Sequence, residues 1–596
     1  MDYKILGDCV LYENDVPEKY ILSNIELTLE LRKGLPYRLL SSKNGLLFSF
    51  VETDLTTPES SKFWPNGCEF RFKNKSWSFF TSVFSRSILW CLKGVEWMSL
   101  SFKVPLEKQF KVPFGDTFNF AQPLNVVVRN STVNFSEMIS IEVIEGKIEK
   151  FHCEKDRYFS LKLRSGDEKQ LKIRFFSKRE PIDEQKDNLT YREFLKEYTP
   201  KSIDEMKRTL AIFALHTAMS NWKDLGPVHA FTAGVNYSFP PRTYFRDSFW
   251  TCLSLLSLRT KPELVREQIL ILASGVHDDG CPSGVMFLSE EEKALLRQLR
   301  DKNPTIKESV RYENDWWSDH HDSGFLFVLL LSQYIESTED TSILREQLGG
   351  ETILDKSVKI MLHASKFVEN GIFKKPYDCR DWADNVFRNG FVSYDAALYV
   401  AASRELSKLL LISNKHEESK LWEDHYFQSK KRFNEVLFDE RKGYFIDFLG
   451  SYSEDHLSID TVVATIFNVA EDQKAISSLV KMEQLLETRN NSKQPYGDWG
   501  VMNVWPNYKR RSHLFGKSAF AYRYHNGSCW PYLSCAYALA KYRYGLDPNY
   551  PLLSWWKYCL EKGWVNLLEY YSPCYDHGSL HQAWSSYAAA VIKQIR

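Results

Sequence analysis

The sequence predicts a multidomain protein in which an N-terminal antiparallel β-sandwich precedes a larger, all-α C-terminal domain. Up to about residue 180 apolar and polar residues alternate, as at Ile139 and Ile141, and a period of two is typical of half-buried strands. Beyond about residue 205 the period becomes helical, with Met206, Leu210 and Phe213 on one face. At 596 residues the chain is too long for one ordinary domain.

The β-sandwich is expected to comprise residues 1–180. Further alternating runs at 159–163 and 171–175 predict strands, and turn sequences such as Asn44-Gly45 separate such runs, as in antiparallel sandwiches. A charged stretch with two prolines and few apolar residues follows, and it predicts a connector over residues 181–204.

The helical domain is expected to comprise residues 205–596. One helix should begin at Pro262, because proline is favoured in the first turn of a helix. Later helices are predicted at 391–412, 416–436, 459–486, 528–545 and 579–594. Loops rich in Asp, Asn, Gly and Trp alternate with them, which favours helices paired around a closed ring with the loops gathered at one end.

The composition excludes several classes of partner. Lys plus Arg and Asp plus Glu each total 77, so there is no net charge to attract nucleic acid or an acidic membrane. The first residues lack a basic segment followed by an apolar run and are not expected to act as a signal peptide, and no apolar run reaches the roughly 20 residues of a membrane span. Eleven irregularly spaced cysteines predict reduced thiols in a cytoplasmic protein. Aromatic residues, 15% of the chain, suit the faces of a neutral sugar.

No cofactor or metal is predicted. Phosphate-binding glycine loops, dinucleotide fingerprints and serine-nucleophile elbows are absent from the sequence. The adjacent pair His320 and His321 does not predict a metal site, because neighbouring side chains on a helix diverge by about 100° and no second histidine cluster has ligand spacing.

The segment RDWADN, residues 380–385, supplies the first candidate for acid chemistry. Cleavage of a glycosidic bond needs one carboxylic acid to protonate the leaving oxygen and a second carboxylate to act on water or the anomeric carbon. Burial against Trp382 and near the carboxylate of Asp381 would keep Asp384 protonated, as a general acid requires. The alternative is that Asp384 caps a helix, since an apolar run follows.

The second candidate carboxylate is Glu569, in an aromatic setting that leads into the last predicted helix through Gln582 and Trp584. A carboxylate there can activate water. The alternative is a solvated surface glutamate at the end of a short helix.

Four further segments are predicted to bind the substrate. Arg246 and Asp247 lie side by side between aromatics and can hydrogen-bond adjacent hydroxyls, although an internal ion pair at a helix start explains them equally well. The other segments carry ring-stacking and hydroxyl-binding groups. Their candidate residues are Asp315, Trp316, Trp317 and Asp322, then Asp498 and Trp499, then His525, Asn526 and Trp530. The residues beside the two candidate carboxylates, Asp381, Trp382, Gln582 and Trp584, are also predicted to bind the substrate.

These motifs, in the order RDSFW, WAD, YHNG-x-x-WP and a Glu ahead of QAWS, resemble the amylo-1,6-glucosidase domain of glycogen-debranching enzymes and related six-hairpin glycosidases. The resemblance covers roughly residues 205–596. It implies an (α/α)6 toroid with an active site at one mouth of the ring and an inverting mechanism. It also implies that Asp384 is the general acid and Glu569 the general base.

The sequence therefore predicts an inverting, exo-acting glycoside hydrolase, most simply an α-glucosidase acting on an oligosaccharide or a glycogen-type branch. Three alternatives stay open, and the first is another α-glycosidase activity of the six-hairpin glycosidases. A disaccharide phosphorylase would need cations for phosphate, for which the run Lys509-Arg510-Arg511 is the local candidate. A non-catalytic carbohydrate-binding protein would keep the pocket without the chemistry.

Overall fold

The computed structural model describes residues 1–111, 117–179, 184–201, 203–235, 240–311, 314–318, 320–376, 380–452 and 454–595. The side chains at positions 184, 185, 305, 308, 309, 317 and 318 are outside this description.

The N-terminal region consists of strands, all paired antiparallel. Two large sheets form, one in the order β1-β2-β7-β8-β9-β10-β19-β16-β15-β14 and the other in the order β17-β18-β11-β6-β5-β4-β3, and β12 pairs only with β13 as a separate hairpin. The strands are β1 (Lys4–Leu6), β2 (Cys9–Tyr12), β3 (Lys19–Ser23), β4 (Leu27–Arg32), β5 (Leu35–Ser41), β6 (Gly45–Thr53), β7 (Ser60–Trp64), β8 (Gly67–Phe72), β9 (Lys75–Phe80), β10 (Ser87–Lys93), β11 (Trp97–Lys103), β12 (Glu107–Lys111), β13 (Thr117–Ala121), β14 (Val126–Arg129), β15 (Thr132–Phe135), β16 (Ile139–Glu145), β17 (Lys147–Cys153), β18 (Tyr158–Arg164) and β19 (Gln170–Phe176).

The inward-facing aromatics of the two sheets join them into a sandwich. Phe48 on β6 meets Phe135 on β15 edge to face, with ring centroids 5.1 Å apart, and Phe50 meets Phe175 on β19 at 6.0 Å. The predicted alternation in β16, β18 and β19 is confirmed, because the alternating apolar side chains of these strands are buried in this core. Sandwich packing of this kind stabilises a pair of sheets through the apolar area it removes from water.

Helices dominate the chain after the sandwich. They are α1 (Glu184–Tyr198), α2 (Glu205–Ser220), α3 (Phe245–Leu258), α4 (Pro262–Ala273), α5 (Glu290–Lys302), α6 (Pro304–Ser309), α7 (His321–Thr338), α8 (Ile353–Ser365), α9 (Ser393–Ile412), α10 (His416–Val436), α11 (Val463–Ile466), α12 (Asp472–Leu485), α13 (Pro531–Arg543), α14 (Asn549–Glu561) and α15 (Tyr587–Gln594). Short two- to four-residue strands connect some of them, including a three-stranded sheet of Arg242–Thr243, Ser283–Met286 and Asp315–Ser318.

Among the described residues, six largely buried helices contact one another in a closed order, from α3 to α7, α9, α11, α13, α15 and back to α3. Six others pack outside them. Helix α4 contacts α3 and α7, α8 contacts α7 and α9, α10 contacts α9, α12 and α14 contact α13, and α2 contacts α3 and α15. The closed order brings the loops before α3, α7, α9, α13 and α15 to one place.

Two of the helices predicted from the sequence differ from the structure. The helix expected over 579–594 begins only at Tyr587, after a 3-10 turn at Ala583–Ser586. A single helix was expected over 459–486, but the chain there forms a short 3-10 turn and α11, then breaks before α12, because Asn468 takes a left-handed conformation at φ 57°. The helices expected around 391–412 and 416–436 are confirmed as α9 and α10, and α4 begins at Pro262 as predicted. The stretch predicted as a connector contains α1.

The two regions meet through specific polar contacts. The hydroxyl of Tyr12 donates to the carbonyl of Leu560 at 2.8 Å, and the side chain of Asn566 accepts from the Ile21 amide at 2.8 Å and donates to the Ile21 carbonyl at 3.1 Å. No helix in the described part of the chain is long and apolar enough to cross a membrane.

Candidate active site

A cavity of about 330 Å³ lies where the loops before the buried helices converge. It gathers Asp247 from the first turn of α3, Asp384 from the loop before α9, and Glu569 from the segment before α15. The full lining consists of Lys111, Ala233, Arg242, Tyr244, Phe245, Arg246, Asp247, Gly284, Trp316, His320, Ser323, Trp382, Asp384, Tyr524, Glu569 and Trp584. Residues that are far apart in sequence therefore share one cavity with aromatic walls.

Asp384 lies in a loop and caps no helix, since α9 begins only at Ser393 with Val392 before it. Its carboxyl accepts from the side-chain amide of Asn385 at 3.2 Å. Burial raises the pKa of Asp384 to about 7, and the Glu569 carboxyl adds to the rise while Arg246 opposes it. Asp384 can therefore carry a proton near neutral pH.

Glu569 lines the same cavity and is no surface glutamate. Its Oε2 accepts the backbone N–H of Ser579 at 3.0 Å. Burial raises the pKa of Glu569 above its usual value, whereas the Ser579 N–H and the ammonium of Lys517 oppose the rise. Gly578 packs directly against this carboxylate, because a Cβ built there would stand 2.6 Å from Oε2. A residue larger than glycine at position 578 would displace Glu569.

Asp247 is a third carboxyl in the cavity. Its Oδ1 accepts from the side-chain amide of Gln582 at 3.1 Å. Burial raises the pKa of Asp247 to about 7, with Arg246 opposing and Glu569 adding to the rise. The cavity thus holds two aspartates, Asp247 and Asp384, whose raised pKa values of about 7 let each carry a proton near neutral pH.

Arg246 is held by α7 and not by its sequence neighbour Asp247. Its Nε donates to Asp322 Oδ2 at 2.7 Å, and its Nη2 donates to Asp322 Oδ1 at 3.0 Å and to His320 Nδ1 at 3.1 Å. Burial and the Arg246 charge lower the pKa of His320 well below its usual value, so the imidazole is neutral and its Nδ1 accepts. The internal ion pair considered from the sequence exists, but with Asp322 as the partner.

Asp381 and Trp382 belong to a buried ionic network beneath the Asp384 loop. Asp381 pairs with Lys375 at 2.6 Å and with Arg388 at 2.9 Å, and these cations hold its pKa well below the usual range. Arg388 also bonds Asp447 at 2.6 Å and Asp460 at 2.7 Å, and Trp382 Nε1 donates to Asp460 at 2.6 Å. Asp381 was expected to bind substrate, but its ion pairs instead anchor the Asp384 loop, and it does not line the cavity. Trp382 does line the cavity.

Arg388→Met is expected to lower the free energy of unfolding by about 3–5 kcal/mol, because three buried aspartates lose their shared cation. Thermal and denaturant unfolding should show the loss, and Arg441→Met, at an exposed arginine, serves as the matched control. Unchanged stability together with unchanged activity would show that the network does not hold the Asp384 loop.

His525, Asn526 and Trp530 support the cavity wall from behind. Asn526 donates to the Ser518 carbonyl at 3.0 Å and accepts from the Tyr508 amide at 2.8 Å, so its amide is used in the fold. Trp530 stacks on His525 with ring centroids 4.8 Å apart and on Tyr570 at 5.3 Å. These residues were expected to bind sugar, and the structure instead places them outside the cavity lining.

His525 contacts the candidate acid without carrying charge. Its Nδ1 accepts the Asn385 N–H at 3.4 Å and lies 3.6 Å from Asp384 Oδ1. Burial lowers the pKa of His525 well below its usual value, so the ring is neutral and forms no ion pair with Asp384.

Three other sequence candidates lie away from the cavity lining. Asp498 accepts from the hydroxyl of Tyr550 on α14, and Trp499 is buried beside it. Asp315 lies 3.0 Å from His277, while the next residue, Trp316, does line the cavity. The side chain of Trp317 is outside the described residues.

Two remaining candidates, Gln582 and Trp584, belong to the site, together with lining residues that were not predicted from the sequence. Gln582 orients Asp247, and Trp584 lines the cavity. The sequence interpretation did not select the lining residues Lys111, Arg242, Tyr244, His320, Ser323 and Tyr524. Tyr524 lies within the YHNG motif, which could have indicated it, and adopts a left-handed φ of 50°. Lys111 lies on the β12–β13 hairpin of the N-terminal region, and no motif in the sequence indicated that it would line the cavity.

Among the described residues no group of three or more His, Cys, Asp and Glu is arranged to hold a metal ion. The basic run proposed for phosphate lies elsewhere: the Lys509 and Arg510 amides donate to the Glu454 carboxylate, and neither residue lines the cavity.

Comparison with known proteins bears on the family and the fold of this chain. Residues 316–593 match the family model of amylo-alpha-1,6-glucosidase, which confirms the resemblance drawn from the motifs. A bacterial glucoamylase complexed with acarbose has the same fold at a TM-score of 0.60 and 8% identity, covering 98% of this chain and 97% of its own. A rhamnosidase from Klebsiella oxytoca with rhamnose bound aligns at 0.50 and 13% identity, covering 97% and 96%. No curated protein sequence matches the chain.

Proposed function

We propose that this protein is an inverting, exo-acting glycoside hydrolase, an α-glucosidase that releases glucose from oligosaccharides or glycogen-type branches. The observation that carries the proposal is the presence of Asp384 and Glu569 in one aromatic-walled cavity. The cavity volume of about 330 Å³ lies at the small end of the range for ligand pockets, roughly 300–1,000 Å³. Such a site suits one terminal sugar.

The proposed architecture follows from which helices contact one another. Six buried helices in a closed order with six partners outside them support an (α/α)6 toroid of the six-hairpin glycosidases over residues 205–596. Residues 1–180 would form the accessory sandwich and residues 181–204 the link between them. The ten described cysteines form no disulfide bond with one another, which supports the proposed cytoplasmic location.

In the proposed mechanism, Asp384 donates its proton to the glycosidic oxygen as the bond to the anomeric carbon breaks. Glu569 removes a proton from the water that attacks the opposite face, which inverts the anomeric configuration. Arg246, fixed by Asp322, and Asp247, oriented by Gln582, would hydrogen-bond the hydroxyls of the terminal sugar. Trp316, Trp382 and Trp584 would pack against its apolar faces.

The test is incubation with maltose, isomaltose and panose, followed by proton NMR of the first sugar released. An inverting α-glucosidase releases β-glucose first. Release of α-glucose would contradict inversion, and release of glucose 1-phosphate only when phosphate is present would establish phosphorolysis. Oligosaccharide binding without any turnover would show that the protein binds carbohydrate but does not cleave it.

The pH dependence should identify the acid. Asp384 must be protonated to act, so kcat/KM is expected to fall as pH rises through about 7, the pKa to which burial raises Asp384. Glu569 must be ionised, so activity should also fall on the acid side, at a pH above the usual glutamate range because its pKa is raised.

Asp247 shares a pKa of about 7, so Asp247→Asn is the decisive control for this profile. We expect this variant to raise KM while the alkaline limb stays near pH 7. Disappearance or displacement of that limb would make Asp247 the titrating acid.

A further inference from the structure

We propose that the N-terminal sandwich completes the sugar site: Lys111, on the β12–β13 hairpin, binds the hydroxyls of the departing sugar and so selects oligosaccharides over small leaving groups. The inference rests on the proposed glycosidase function and extends it to the leaving-group side of the same cavity.

The hairpin is docked against the helical region by apolar packing. Phe110 is completely buried in a cluster with Met286, Leu296, Ile306 and Trp316, and Phe118 and Phe120 pack against the same cluster. Three aromatic side chains of one short hairpin therefore attach it to α5, α6 and the strand that carries Trp316. The contact joins the hairpin to a wall of the cavity, because Trp316 is itself a lining residue.

A charged contact adds to this docking. Lys108 Nζ lies 3.3 Å from Glu292 Oε1 on α5, and the two side chains are only 20% and 15% exposed. Within the hairpin, Lys111 pairs with Thr117 across the two strands. Strand β12 is thus fixed at two positions. Lys108 contacts Glu292 of α5, and Lys111, which reaches the cavity, pairs with Thr117 of β13.

The position of Lys111 assigns its role. Of the described residues that line the cavity, Lys111 is the one whose side chain is exposed to solvent, whereas Trp382 and Trp584 are buried and Asp384 and Glu569 are partly buried. Lys111 therefore stands at the open mouth, and the carboxyls stand deeper. When an exo-acting enzyme holds the terminal sugar at the closed end, the remainder of the substrate passes through the mouth. The three N–H donors of an ammonium group suit the hydroxyl oxygens of that sugar.

The experiment compares two substrates that differ only on the leaving-group side, α-glucosyl fluoride and panose, with the full-length protein. Lys111→Met is expected to reduce kcat/KM for panose about tenfold relative to the fluoride, mainly through KM, since a lost hydrogen bond to a charged donor has about that effect. Lys111→Gln, which keeps a donor, should recover part of the loss. Phe110→Ala, which loosens the hairpin, should shift the same ratio.

Lys103→Met, an exposed lysine on β11 of the same sandwich, is the matched control and should leave the ratio unchanged. Equal effects of Lys111→Met on both substrates, or none on either, would overturn the inference while leaving the glycosidase function intact. Wild-type protein that hydrolyses neither substrate would overturn the proposed function and this inference with it.

Discussion

Asp384→Asn is expected to reduce kcat for oligosaccharides by roughly 10²–10⁴-fold, because an amide cannot protonate the leaving oxygen. The substitution preserves the shape of the side chain, so the Asn385 contact and the position of the loop should persist. Affinity for glucose, measured by calorimetry, should therefore be largely retained.

The leaving group distinguishes acid catalysis from general damage to the site. Fluoride departs without a full proton, so Asp384→Asn should hydrolyse α-glucosyl fluoride far better, relative to wild type, than it hydrolyses maltose. Asp278→Asn, at a fully exposed aspartate, is the matched control. Near-normal hydrolysis of maltose by Asp384→Asn would remove Asp384 from the acid role.

Glu569→Gln is expected to reduce turnover by a similar factor, roughly 10²–10⁴-fold, but for both kinds of leaving group. The reason is that water must be deprotonated whichever group departs. Glutamine can still accept the Ser579 N–H through its carbonyl oxygen, so the local fold should be kept and melting temperature should confirm it.

The pattern across the two variants is the stronger test. Suppose that Asp384→Asn retains hydrolysis of α-glucosyl fluoride, whereas Glu569→Gln loses hydrolysis of both the fluoride and maltose. This result would assign Asp384 as the acid and Glu569 as the base. Glu569→Gln with a selective defect for sugar leaving groups would reverse the two assignments. Glu561→Gln, an exposed glutamate at the end of α14, is the control for the change in charge.

Local periodicity allowed much of the fold to be predicted. The strands around Ile139, Phe159 and Leu171 and the helices α9 and α10 were expected from the sequence because alternation and helical spacing are set by the backbone. The break between α11 and α12 was missed, since a single left-handed residue, Asn468, interrupts a run that remains apolar on both sides.

Candidate site residues were harder to sort from the sequence. Asp381 and Asp384 are three residues apart in one motif, yet two cations bind Asp381 in the interior and Asp384 lines the cavity. Asp498 and Trp499 have the composition of a sugar site but lie beside α14. Composition gives the same signal for a buried polar residue and for a ligand-binding one, because both need hydrogen-bond partners.

By itself the sequence determined the two-part organisation, the residue types available for acid and base chemistry, and the family resemblance. Only the tertiary structure decided which carboxyls share a cavity, that Arg246 pairs with Asp322, and that Lys111 of the sandwich reaches the same cavity. The physical reason is that periodicity and motif spacing act over a few residues. The environment that raises the pKa of Asp384 to about 7 is instead assembled by burial among segments distant along the chain.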